Sequence, residues 1–202
     1  MSLNRLSFPL VFGILSLTSC AEQTPPKTPA TPEATTPAPK QSRTNITPED
    51  APIVMSSIIE TGQTEIGQLT LKETPTGVIV NIQASGIPEG WHGVHFHVKA
   101  DCSDPAFKNS GGHINDEGHE HGLKNPNGPD NADLPNIYAD ANGNVNVELI
   151  TTRIALIPNI PGRANLLDED GSALVIHANP DDQITQPIGG AGPRIACSPI
   201  NR

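Results

Sequence analysis

Seven histidines occur in this chain, and all of them fall between positions 92 and 177. In Gly93-Val94-His95-Phe96-His97, the alternation of an extended strand puts His95 and His97 on one face and Val94 and Phe96 on the other. Two imidazoles at that spacing make half of a metal site without distorting the backbone, though a lone pair of this kind is a weak signal and usually reads as surface chemistry. Their company changes the reading. His113, His119 and His121 lie in an interval rich in Gly, Asn and Asp, and His177 closes the apolar run Ala173-Leu174-Val175-Ile176. A nitrogen-rich set with few thiolates suits copper, zinc or iron rather than calcium or magnesium.

The chain has three cysteines, and the first belongs to a targeting segment. Arg5 supplies a positive start, and Leu6 to Leu17 form an apolar stretch too short to span a bilayer as a helix. Residues 1–19 are therefore read as a signal peptide. The ending Leu17-Thr18-Ser19-Cys20 resembles the bacterial lipobox, in which the Cys becomes the acylated first residue; an ordinary signal peptide with an incidental Cys is the other reading. Lipid on Cys20 would anchor the protein to a membrane surface without spanning it. Ala21, rather than Asp, follows, so outer-membrane sorting is expected if the host is Gram-negative. Residues 20–50 are a Pro/Thr/Ala-rich tether (TPPKTPATPEATTPAPK) that cannot bury enough surface to offset its ordering entropy. The protein is thus expected to be exported and lipid-anchored to a bacterial membrane, facing the periplasm or the exterior. Cys102 and Cys197 remain. An even number in an exported domain argues for one disulfide over two unrelated free thiols, which would remove thiolates from the metal site.

The elements that must position the histidines are strands. Residues 51–202 hold the folded domain, and apolar runs read as strands at Ile53–Glu60, Gln68–Glu73, Val78–Ala84, Gly93–Lys99, Asn144–Ile150 and Ala173–His177, with shorter runs at Ile137–Ala139 and Ile154–Leu156. Turns fall at Thr76-Gly77, Pro88-Glu89-Gly90, Asn142-Gly143 and Asp170-Gly171. No window has a helical period. Gly (18) and Pro (21) are abundant and aromatics are 3%, which agrees with a loop-rich all-β domain, an antiparallel sandwich or barrel of about eight strands. The interval from Ala100 to Pro135 has almost no strand pattern, and a loop of that length needs a staple or a ligand. A formal net charge of −10 gives no support to nucleic-acid binding.

Trp91-His92-Gly93-Val94-His95-Phe96-His97, then Cys102, then Gly111-Gly112-His113, resembles the copper,zinc superoxide dismutases, in particular their exported bacterial branch. The likeness continues through Ala132-Asp133-Leu134-Pro135-Asn136, Leu174-Val175-Ile176-His177 and Gly190-Ala191-Gly192-Pro193-Arg194-Ile195-Ala196-Cys197. It implies an eight-stranded antiparallel Greek-key sandwich or flattened barrel with long metal-binding and electrostatic loops. By the same resemblance, His95, His97, His113 and His177 would hold copper, with His113 bridging to zinc. His121 and Asp133 would hold zinc, Cys102 would pair with Cys197, and Arg194 would attract the superoxide anion. Asp181 would hydrogen-bond the histidines of both metals and orient them. The implied reaction converts superoxide to oxygen and hydrogen peroxide by Cu(II)/Cu(I) cycling, with protons arriving from water and His113. His92 takes a structural role by the same resemblance, and His119 reads as an exposed loop residue. Asp181 with Asp182 could also be a solvated turn, and Arg194 an ordinary surface charge.

One position departs from the family's pattern. Its third zinc histidine, three residues before the zinc aspartate, is here Asp130. Zinc accepts carboxylate oxygen at similar distances, so His113, His121, Asp130 and Asp133 make a feasible set, one charge less positive than usual. The alternatives are that His119 substitutes, or that zinc is weakly held or absent. The stretch Asp181–Gly190 is short and lacks Lys, so steering of the anion would rest mainly on Arg194. A competing function is a non-catalytic copper-binding protein for storage or delivery on the same fold. Homodimerisation stays open, since no apolar stripe marks an interface.

Overall fold

In a computed structural model of the chain, the structure describes residues 51–202. The segments expected to be a signal peptide and a tether, with Cys20 between them, lie outside the described residues. The alternation Val78-Ile79-Val80-Asn81-Ile82 gives its expected result: β3 (Gly77–Ala84) buries Val78, Val80, Ile82 and Ala84, while Gln83 faces solvent. The same alternation builds β1 (Ile53–Glu60), β2 (Glu65–Thr74) and β7 (Val145–Thr151). With β5 (Val94–His97), β10 (Ser172–His177) and β11 (Arg194–Ile200) these strands form one antiparallel sheet ordered β5-β10-β11-β1-β2-β3-β7.

The two edge strands, β5 and β7, are continued by a second pair. β4 (Gly90–His92) runs into β5 across Gly93, and β6 (Ile137–Ala139) runs into β7 through the Asn142-Gly143 turn; β4 and β6 pair with each other. Gly143 has φ +78° and donates to Asp140 O at 2.8 Å, a conformation that suits glycine. Counted with β4 and β5 as one interrupted strand, this is an eight-stranded antiparallel Greek-key barrel, as expected from the sequence. β8 (Ile154–Ala155) and β9 (Ala164–Asn165) add a short parallel pair. The strand β11 does not stand out as an apolar run, because Arg194, Ser198 and Pro199 break its alternation. Pro199 is tolerated opposite Ala173, and its carbonyl accepts from Ser56 Oγ at 2.5 Å.

Inside the barrel Ile58, Leu69, Leu71, Val80, Ile82, Phe96, Leu134, Leu174 and Ile176 form the main core. A second apolar cluster, Cys102, Phe107, Ala173, Val175 and Cys197, lies on the opposite face of β10. The Cys102–Cys197 disulfide is formed, with Cα atoms 5.9 Å apart and 95 residues of separation. It is the staple that the long loop required. At the far end, buried Glu73 pairs with Arg163 Nη2 and accepts from the Leu156 amide at 2.6 Å, while Arg163 Nε donates to Ile154 O at 2.6 Å. Both charges are paired and hydrogen-bonded, the condition for burying them.

Candidate metal centre

β5 is a sheet edge, and an unpaired edge must find partners. Here the long loop supplies them. Val98 N donates to Gly112 O, Phe96 N to Ala132 O, and Ile114 N to Phe96 O, all at 3.1–3.2 Å. These bonds set His113 opposite His97 and Asp133 opposite His95. On the other side, antiparallel pairing with β10 places His95 beside Val175 and His97 beside Ala173. A register shift after Ile176 brings His177 opposite Arg194 at the end of the ladder. Strand alternation and edge stitching thus gather residues that are far apart in the chain.

Four imidazole nitrogens result that are buried and have no hydrogen-bond partner: His95 Nδ1, His97 Nε2, His113 Nε2 and His177 Nε2. One ligand atom each from His95, His97 and His177 lies within 4.8 Å of the others, and the His95 and His113 rings are 4.3 Å apart between centroids. The opposite nitrogen of each ring is engaged: His95 Nε2 with Asp181 Oδ2 at 2.9 Å, His97 Nδ1 with Gly111 O at 2.9 Å, His177 Nδ1 with Gly192 O at 3.0 Å, and His113 Nδ1 with Asp130 Oδ2 at 3.0 Å. Each ring therefore donates outward and turns a lone pair inward. An unsatisfied buried polar atom costs roughly 1–3 kcal/mol, and three gathered from His95, His97 and His177, with His113 packed against His95, fit a nitrogen-loving metal such as copper. Burial pushes the pKa of His97 down to about 2 and of His177 down to about 3, and lowers that of His95 as well. These rings are neutral and free to coordinate at physiological pH.

The neighbouring set has a different character. One ligand atom each from His113, His121, Asp130 and Asp133 falls within 4.8 Å of the rest. His121 Nδ1 and Asp133 Oδ1 stand 2.6 Å apart without hydrogen-bond geometry, while Asp133 Oδ2 accepts from the amides of Gly122 (2.7 Å) and Asp130 (3.0 Å). Two nitrogens and two carboxylates, all on buried or nearly buried side chains, fit zinc. Burial opposes the charged form of His121, but the carboxylates of Asp133 and Asp181 outweigh it and push its pKa up to about 10. Burial likewise opposes the charge on Asp133 and Asp181, yet the close positive His121 and the Gly122 amide hold the Asp133 carboxyl below its usual range, and bonds from His121 and His95 do the same for Asp181.

Asp181 joins the two sets, accepting from His95 Nε2 at 2.9 Å and from His121 Nε2 at 3.1 Å. Gln183 completes its shell, donating its amide to Asp181 Oδ1 (2.6 Å) and its side chain to Oδ2 (2.9 Å). Asn136 exchanges two bonds with the Asp181 backbone. Two glycines allow this approach. A Cβ on Gly93 would sit 2.9 Å from Ala191 Cβ, and one on Gly189 would sit 1.6 Å from Asp181 Oδ1. Arg194 stands at the rim, its guanidinium fixed by Phe107 O (2.6 Å), Ser110 Oγ (3.0 Å) and Gly111 O (2.7 Å).

The description "Copper/zinc superoxide dismutase" belongs to the family model that matches residues 61–200. The chain belongs to the copper/zinc superoxide dismutase family. Over 137 residues it is 47% identical to "Superoxide dismutase [Cu-Zn]" of Caulobacter vibrioides, covering 67% of this chain and 78% of that protein. It is 41% identical over 146 residues to "Superoxide dismutase [Cu-Zn] 2" of Aquifex aeolicus, covering 72% of this chain and 84% of that one. Among solved structures, a SOD-like protein from Bacillus subtilis superposes with a TM-score of 0.68 at 33% identity, over 72% of this chain and 97% of that one.

The structure brings together every residue that the family resemblance singled out in the domain. His95, His97, His113 and His177 converge, His121 and Asp133 sit beside them, Asp181 bridges, and Arg194 lies next to His177 across the ladder. Asp130 joins the second set. His119 does not: its side chain is 48% exposed and binds Pro129 O at 3.1 Å. His92 is buried with its ring nitrogens on His177 O and Pro88 O, both at 2.7 Å, a structural position. Sequence reasoning missed Gln183, Asn136 and Ser110. Only the family-like placement of Asp181 hinted at the first two, and nothing in the sequence pointed to Ser110.

Proposed function

We propose that this protein dismutates superoxide outside the cytoplasm, held to a membrane by lipid on Cys20. The observation that carries the reading is a set of four partnerless, buried imidazole nitrogens, three of them on mutually close rings and the fourth on His113 against His95, with Arg194 opposite His177 in the ladder. Copper held by His95, His97, His113 and His177 would supply the alternation between Cu(II) and Cu(I) that oxidises one superoxide to oxygen and reduces the next to peroxide. The chain's own residues do the rest. Outward bonds to Asp181, Gly111 and Gly192 hold the His95, His97 and His177 rings in one tautomer and one orientation. Arg194, pinned by two carbonyls and a hydroxyl, presents a fixed positive charge to an incoming anion, and a locally cationic site attracts anions even on an acidic protein. Whenever it is not serving as a ligand, His113 Nε2 can hold one of the two protons that the reduced product requires, the other coming from water.

Zinc fits the second set through His113 Nδ1, His121 Nδ1, Asp133 Oδ1 and a carboxylate oxygen of Asp130. Asp130→Ala tests this ligand set, and zinc affinity should fall by at least tenfold, the scale of losing a contact close to the metal. Unchanged affinity would remove Asp130 from the set.

Activity is tested by pulse radiolysis, or a xanthine-oxidase-coupled assay, of the copper- and zinc-loaded domain beside Arg194→Glu. An inactive but fully copper-loaded protein would favour copper storage or delivery instead. Location is tested by fatty-acid labelling of cells: label on the native protein, lost in Cys20→Ser with release to the soluble fraction, supports the anchor, and an unlabelled native protein overturns it.

A further inference from the structure

The turn that carries Asp130 and Asp133 is held from both sides. On its inner side the carboxylates cap its own amides: Asp133 Oδ2 accepts from Asp130 N at 3.0 Å, and Asp130 Oδ1 accepts from Ala132 N at 2.9 Å. This leaves one oxygen of each, Asp130 Oδ2 and Asp133 Oδ1, facing His113 and His121. On the outer side, Arg153, which lies between β7 and β8, grips the same two residues by their backbone. Its Nε donates to Asp130 O at 3.1 Å and its Nη2 donates to Asp133 O. The grip is returned by Asn131, whose side chain donates to Arg153 O at 3.1 Å. Arg153 is half-buried, and its guanidinium keeps its charge in a protein interior.

The location matters for charge. Asp130, Asp133 and Asp181 place three buried carboxylates around this pocket. Of the other arginines of the domain, Arg163 is engaged with Glu73 and Arg194 with the carbonyls on the copper side, while Arg202 is exposed at the chain's end. We propose that Arg153 is the positioning residue of the zinc site: its fork fixes the Asp130–Asp133 turn and its charge offsets the second carboxylate. The inference rests on the reading that Asp130 is a zinc ligand. A buried carboxylate pair is costly without a compensating cation, and a planar fork matches two carbonyls of one turn while bringing that charge with it.

The test is a zinc competition titration of the metal-free domain against a chromophoric chelator, which needs no activity. Arg153→Gln is expected to weaken zinc binding about tenfold in the native background. In Asp130→His, which removes one negative charge, the same change should cost less than threefold. Arg153→Lys keeps the charge and should recover at least half of the loss on a logarithmic scale. An equal loss in both backgrounds, no loss in the native one, or a Lys variant as weak as Gln would overturn the proposal. The Asp130→Ala titration separates the two readings. If it weakens zinc while Arg153→Gln costs the same in both backgrounds, the ligand assignment stands and only the Arg153 proposal falls. If Asp130→Ala leaves zinc affinity unchanged, both fall. Thermal unfolding of the metal-free variants confirms that each is folded before titration.

Discussion

The set proposed for copper and the set proposed for zinc meet at His113 but are built from different materials. Three of the four copper-side histidines stand on strands, with Ala173 and Val175 beneath them and backbone carbonyls or Asp181 behind them. The zinc side is made from a loop, and its shape depends on carboxylates capping amides and on the clamp of Arg153. The electrostatics differ in the same sense. Burial keeps His95, His97 and His177 neutral, whereas the neighbouring pocket stabilises a protonated His121 between carboxylates. A sheet can preform a ligand set that waits for its metal with lone pairs exposed. A loop gathers its set through charge, and the metal must then replace a proton.

Several changes would break or sharpen this contrast. The largest effect is expected from ligand removal on the copper side. His177→Ala should lower activity at least about a hundredfold, since losing a metal ligand exceeds the 10–100-fold typical of losing one of its supporting contacts. His121→Ala should cost activity less, about tenfold, while abolishing tight zinc binding. Equal losses of activity would erase the functional distinction between the halves.

Next comes acidification of the metal-free domain. For His95, His97 and His177 the folded pKa lies below the unfolded value near 6.5. The unfolded chain therefore binds more protons as pH falls below that value, and folding stability drops. His121 runs the other way: with a folded pKa of about 10, its contribution is fully present below pH 6.5 and fades as pH rises towards 10. Melting of the metal-free protein should fall by on the order of 10 °C between pH 7 and pH 5. His97→Phe should flatten that slope, whereas His121→Phe should not. A slope unchanged by His97→Phe would contradict the neutral copper pocket.

The smallest effect is a proton count. At pH 7 zinc alone must displace the His121 proton, so calorimetry in buffers of different ionisation enthalpy should register about one proton released per zinc. Zinc binding without proton release would mean that His121 is already neutral.

The same contrast governs what could be read without a structure. His95 and His97 declare a shared face through strand periodicity, and the run before His177 declares a buried strand. Cys102 and Cys197 were legible from parity in a chain whose start reads as a signal peptide. The zinc loop carries no such period. Asp130 was visible only as a departure from a family pattern, and His119 could be set aside only once its exposure was known. Gln183, Asn136 and Arg153 act through bonds between loops that are distant in the chain, so no local spacing marks them. β11 was obscured by Pro199 and by the charge of Arg194 at its start, although it is an interior strand of the sheet, between β10 and β1.

The most direct measurement is superoxide decay by pulse radiolysis with the domain loaded with one copper and one zinc, at low and high ionic strength, beside Arg194→Glu. The account predicts rapid catalytic decay that slows as salt screens the site, and a loss on the order of tenfold or more in Arg194→Glu, with copper content unchanged. Decay no faster than in its absence, from protein shown to hold copper at His95, His97, His113 and His177, would contradict it.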